Sequence, residues 1–108
     1  MQNLTTTSEF DALLDAPAAL VYKHSTRCPI AALALEQIGE LTRTHPDAPI
    51  YLVDVHAARD VSNHIAKTLG VTHHSPQAVL LRDGKAVWHA EHFDIKARAL
   101  ARQLELAG

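Results

Sequence analysis

One cysteine stands in the chain, Cys28, within the run VYKHSTRCPIA that spans residues 21–31. A lone cysteine is most often inert packing material. Three neighbours argue for chemistry instead. Pro29 follows at once and suits the first turn of a helix, where its missing N–H costs nothing. The polar stretch KHSTR precedes it, and that stretch follows an apolar run that reads as a buried strand. Loops at the carboxyl ends of such strands are where ligands bind in α/β sheets. At a helix start the unpaired N–H groups and the helix dipole both favour thiolate over thiol. Lys23, His24 and Arg27 would act in the same direction if they face the sulfur.

Cys28-Pro29-Ile30-Ala31 lacks the second cysteine of a C-x-x-C pair, so no internal disulfide can resolve an intermediate. The reaction open to it is monothiol exchange. The thiolate attacks a mixed disulfide, keeps one half and is released by a thiol from outside. The eight histidines raise a metal hypothesis, with His73-His74 and the pair His89 and His92 the densest groups. Adjacent histidines on an extended segment point in opposite directions, and no C-x-x-C or H-E-x-x-H accompanies them. No metal site is expected.

The elements that must position Cys28 follow from patterning. SEFDALLDAP reads as a short helix capped by Ser8, with Asp11 near capping-box position, Phe10, Leu13 and Leu14 on one face, and Pro17 at its end. AALVYK, residues 18–23, is a strand of the kind buried on both faces. Ile30, Leu33, Ala34, Ile38 and Leu41 recur at helical spacing up to about Thr44, and IYLVDV, residues 50–55, is a second buried strand. Strand, helix and strand in this order imply a right-handed crossover and a parallel pair. Val61, Ile65 and Leu69 mark a further helix stopped at Gly70. Two β-prone runs around Asp83-Gly84 make a hairpin, with Leu80, Leu81 and Trp88 read as core. A last helix is expected from an Asp94 cap, with Phe93, Ala97, Leu100, Leu104 and Ala107 on one stripe.

A helix, a βαβ unit, a helix and a ββα unit make the plan of one thioredoxin-like α/β domain over residues 1–108, with a four-stranded mixed sheet flanked by helices. On that plan Ser75-Pro76 stands just before a strand, where such domains place a cis-proline facing the cysteine. Cis bonds are mostly an X–Pro feature, and such a turn exposes the Ser75 backbone to an extended substrate.

Length and composition are consistent with this. With 108 residues, 47% of them hydrophobic and 20% charged, the chain fits one domain with its own core. A formal charge of −2 and the lack of a basic stripe argue against nucleic acid or an anionic membrane as partner. A single cysteine fits a reducing compartment. The amino-terminal MQNLTTTSEF lacks the pattern of a signal peptide, and no apolar run approaches the ~20 residues that span a bilayer. A cytoplasmic location is therefore expected.

KHSTRCPIA, residues 23–31, resembles the active-site segment of the monothiol bacilliredoxins, thioredoxin-like proteins of the bacillithiol system. The similarity continues through RDVSNHIA, HHSPQAVLLRDGKAVWHA and HFDI, so it covers nearly the whole chain. The resemblance implies removal of bacillithiol from S-bacillithiolated cytosolic proteins. Cys28 would be the nucleophile, and the Ser75, Pro76 and Gln77 segment would be the cis-proline loop that docks substrate. Bacillithiol would be thiol co-substrate, with no tightly bound cofactor. Thr26, Arg27 and Pro29 are the remaining candidate contacts. Two departures are visible: Ala31 stands where the family commonly has serine, and His74 where an acidic residue is common. Two other readings remain open, an iron–sulfur carrier that shares a cluster across a dimer and an adaptor with a silent cysteine.

Overall fold

A computed structural model describes residues 1–106. Among the described residues nine β-strands and α-helices follow one another: β1 (Gln2–Asn3), α1 (Thr7–Ala12), β2 (Ala18–His24), α2 (Pro29–Thr44), β3 (Ile50–Asp54), α3 (Arg59–Leu69), β4 (Gln77–Arg82), β5 (Lys85–Glu91) and α4 (Ala97–Gln103). The sheet order is β1-β3-β2-β4-β5. β3 runs parallel to both β1 and β2, whereas β4 is antiparallel to β2 and to β5. The expected four strands are thus five. The addition is β1, whose Gln2 and Asn3 pair with Tyr51 and Leu52 and extend the sheet past β3.

The three inner strands are apolar on both faces, and their period of two divides the core between two helical layers. Leu20, Tyr22, Ile50, Ala78 and Leu80 face α2 and α4, meeting Ala34, Ile38, Leu41 and Leu100. Ala19, Val21, Val53, Val79 and Leu81 face α1 and α3, meeting Phe10, Val61 and Ile65. Leu80 and Leu81 are fully buried and Trp88 packs against the first cluster, as their β-prone runs imply.

The local stop signals act as expected in several places. Gly70 ends α3 in the left-handed conformation (φ 67°), and its N–H bonds to Ala66 O. The β4–β5 turn has φ 51° at Asp83 and 78° at Gly84, the pattern of a two-residue hairpin turn. A Cβ on Gly84 would lie 2.8 Å from the Leu14 carbonyl oxygen, so the turn also needs glycine for space.

Two caps differ from expectation. Thr6, not Ser8, caps α1: its side chain accepts from Glu9 N–H while Glu9 Oε1 accepts from Thr6 N–H, a complete capping box. Asp94 does not cap the last helix. It ends a 3₁₀ turn over His92–Asp94, and α4 begins at Ala97, whose N–H donates to Gln37 Oε1 at 2.9 Å. Phe93 consequently leaves the apolar stripe and is 59% exposed. Ala107, placed on that stripe by its spacing, lies outside the described residues.

Candidate active site

β2 and α2 set the position of Cys28. β2 carries the chain up through the middle of the sheet to His24, and residues 25–28 turn it into α2. Cys28 occupies the N-cap with extended backbone (φ −115°, ψ 118°), and Pro29 opens the helix. The Cys28 side chain makes no capping hydrogen bond, and the residue is half-buried at the positive end of a 16-residue helix. The turn is fastened from within: Cys28 N–H donates to Ser25 O at 3.4 Å and Ala31 N–H to Cys28 O at 3.0 Å.

The strand period decides which neighbours turn toward the helix. Tyr22, fully buried, lies beneath the first turn of α2, where its hydroxyl donates to Ala31 O at 3.2 Å and meets His24 Nδ1 at 2.9 Å. Burial, and then charge on the neighbouring Cys28 sulfur, raise the Tyr22 pKa far above the ordinary phenol value. The phenol therefore stays protonated. Burial lowers the pKa of His24, and Asp54 opposes that shift only in part.

Lys23 points the other way. It is 1% exposed on the α3 face, with Nζ donating to Ser62 O at 3.0 Å and lying 3.2 Å from His73 Nδ1. Its ammonium is thus committed across the sheet from the Tyr22 face, which removes it from the cations expected around the sulfur. Desolvation lowers its pKa to about 8.

Thr26 and Arg27 are exposed on the loop. The backbone N–H of Arg27 donates to Ser25 Oγ at 3.3 Å, and no ion pair holds its guanidinium among the described residues. Ser25 is buried and its Oγ also meets His56 Nε2 at 2.8 Å. His56 belongs to the turn between β3 and α3, where Asp54 Oδ1 accepts the N–H groups of His56 and Ala57. Those two bonds hold the Asp54 pKa below the usual carboxylate value.

Ser75-Pro76 is a cis bond. Lys23 pairs with Gln77 across β2 and β4, so Pro76 lies just past the end of that ladder, at the same sheet end as the Cys28 loop. Pro76 O accepts from His92 N–H at 3.1 Å. Gln77 is buried, and its amide donates to Thr72 O and to Glu91 Oε2, both at 2.9 Å. Burial opposes ionisation of Glu91, but hydrogen bonds from Gln77 and His89 outweigh it and lower the carboxyl pKa. Ser75 Oγ is buried without a partner.

The adjacent histidines diverge as an extended segment requires. His73 turns to Lys23, while His74 meets His92 edge-to-face at 5.8 Å. Among the described residues no group of three or more His, Cys, Asp or Glu side chains is arranged to hold a metal. A cleft of about 450 Å³ lies beside β1 among Gln2, Leu4, Glu9 and Tyr51, and Cys28 does not line it.

Sequence reasoning did not single out Tyr22, Ser25, Asp54, His56 or Glu91. Tyr22 was recoverable, because it stands two residues before His24 and shares its face. The Ser25–His56 bond joins residues 31 apart and leaves no local signal.

Comparisons with known proteins agree with this geometry. Residues 2–100 match the family described as monothiol bacilliredoxin BrxC. A solved structure described as a proposed oxidoreductase with a thioredoxin fold is 36% identical, with TM-score 0.85, covering 95% of this chain and 91% of that one. Mitochondrial thioredoxin 3 from Saccharomyces cerevisiae, in its oxidised form, is 20% identical with TM-score 0.74, covering 97% and 93%. Fasciola hepatica thioredoxin is 18% identical with TM-score 0.75, covering 97% of each chain. The last two show likeness of fold alone.

Proposed function

The chain belongs to the monothiol bacilliredoxin family, and from that premise we propose that it removes bacillithiol from S-bacillithiolated proteins in the cytoplasm, with Cys28 as nucleophile. Family and fold together make it a thiol oxidoreductase with a thiol redox role. The finer reading is supported chiefly by one observation: a single cysteine at the N-cap of α2, with its side chain unbonded.

The exchange balances without a metal or a second protein thiol. Cys28 thiolate attacks the bacillithiol sulfur of the mixed disulfide. A new S–S bond forms between Cys28 and bacillithiol as the old one breaks, and the protein thiolate leaves and takes up a proton. An external thiol then attacks the Cys28 adduct, becomes the new disulfide partner of bacillithiol and returns Cys28 as thiolate. Cys28 sits at the positive end of α2 at each stage. Pro29 fixes the entry to the helix. The turn through Ser75, Pro76 and Gln77 offers its backbone to the extended protein half, and Thr26 and Arg27 flank the small-thiol half.

Mass spectrometry after parallel exposure to oxidised bacillithiol and oxidised glutathione tests the cofactor assignment. A selective bacillithiol adduct on Cys28 is expected. Equal adducts from both reagents would overturn the assignment to bacillithiol.

A further inference from the structure

We propose that the cleft between α3 and the segment leading to Pro76 is an anion subsite, which holds a carboxylate of the small-thiol half of the mixed disulfide while its sulfur lies at Cys28. The inference rests on the exchange reading above. The cleft has a volume of about 170 Å³ and is lined by Val55, His56, Arg59, Ser62, Asn63 and His73. Whole small-molecule sites usually occupy roughly 300–1,000 Å³. The cleft therefore suits one end group rather than a complete cofactor.

Apart from Val55, its lining side chains are cationic or can donate hydrogen bonds, and none is a carboxylate. Arg59 opens α3. Lys23 lies beneath, bonded to Ser62 O and His73 Nδ1. An ammonium group has no acceptor, so His73 Nδ1 must accept, and the ring proton is fixed on Nε2 as a donor. Desolvation first, and then the positive neighbours Lys23, His74 and Arg59, lower the His73 pKa. His56 adds a buried Nδ1 with no partner. When Ser25 Oγ donates to Nε2, that Nδ1 carries a proton and lacks an acceptor. The carboxylate of Asp54, two residues before His56, is occupied by the N–H groups of His56 and Ala57.

Two lining residues connect the cleft to the loops of the candidate site. His56 is bonded to Ser25, three residues before Cys28, and His73 lies three residues before Pro76. A small thiol held at Cys28 would engage this cleft through an anionic group away from its sulfur. Bacillithiol, which bears carboxylates, has that chemistry.

The test compares one reporter protein capped with bacillithiol or with bacillithiol whose carboxylates are esterified. The quantity read is the ratio of kcat/KM for the two caps. In wild type the free-acid cap is expected to be favoured by roughly tenfold, the scale of a charge-assisted hydrogen bond. Arg59→Gln should bring the ratio near one, and Arg59→Lys should restore part of it. A wild-type ratio near one, or a ratio that Arg59→Gln leaves intact, overturns the subsite while leaving the exchange reading in place. If wild type removes neither cap, the exchange reading fails and the subsite with it.

Discussion

Ser25 Oγ and His56 Nε2 lie 2.8 Å apart, a bond that fastens the loop before Cys28 to the turn that opens α3. The same oxygen accepts the Arg27 N–H, so one buried hydroxyl fixes both the path of the loop and the pose of an imidazole. Ser25→Ala leaves His56 with neither ring nitrogen bonded, because Nδ1 already has no partner. The expected loss of stability is about 1–3 kcal/mol, the range for stranding a buried polar group. Urea unfolding measures it, and an unchanged midpoint would show that the bond does not restrain the loop.

Tyr22 makes a spectroscopic prediction. Its hydroxyl is buried against Ala31 O and His24, and its pKa is raised by burial and then by the charge on Cys28. The folded state holds its proton above pH ~10, where an unfolded phenol loses it. Tyr22 therefore stabilises the fold below that pH, and the contribution is lost as pH rises further. In an alkaline titration followed by phenolate absorbance, one step should coincide with unfolding. Tyr22→Phe should lack that step. A Tyr22 that ionises in the still-folded protein would contradict the geometry.

Lys23 sets a second pH dependence, of the opposite sign. Its folded pKa of about 8 lies below the value of 10.5 for a free lysine. Between those values the unfolded chain binds the extra proton, so stability rises with pH, by at most ~1.4 kcal/mol per pH unit. The useful window is about pH 8 to 9.5, before Tyr22 opposes the trend. Over it, wild type should gain stability relative to Lys23→Met. Parallel stability curves for the two proteins would count against a desolvated ammonium at this position.

How far the sequence carries depends on where each structural cause lies. Pro29, Gly70 and Asp83-Gly84 act through their own backbone, so α2, the end of α3 and the hairpin are legible locally. The Thr6–Glu9 capping box is also local, and Ser8 competed for it only because both residues can cap. β1 has no apolar pattern. It is a strand because the edge of β3 offers unpaired groups to Gln2 and Asn3. α4 begins at Ala97 because Gln37, 60 residues earlier, supplies its cap. Lys23 looks like the polar end of a strand, and only Ser62 and His73, brought in by α3 and the loop after it, explain its burial.

The candidate site divides in the same way. Cys28, Pro29, Ser75 and Pro76 are visible from residue type and spacing. The supports, Ser25 with His56 and Gln77 with Glu91, are contacts between separate elements. Gln77 is reached only through the family resemblance, while its role in tying β4 to β5 emerges from the fold.

The most direct measurement is a single-turnover reaction between the protein and a bacillithiol-capped substrate protein, with Cys28→Ser in parallel. Monothiol exchange predicts a bacillithiol adduct on Cys28 that appears in step with the freed substrate thiol, and neither product from the variant. Uncapping by Cys28→Ser at the wild-type rate would contradict the account.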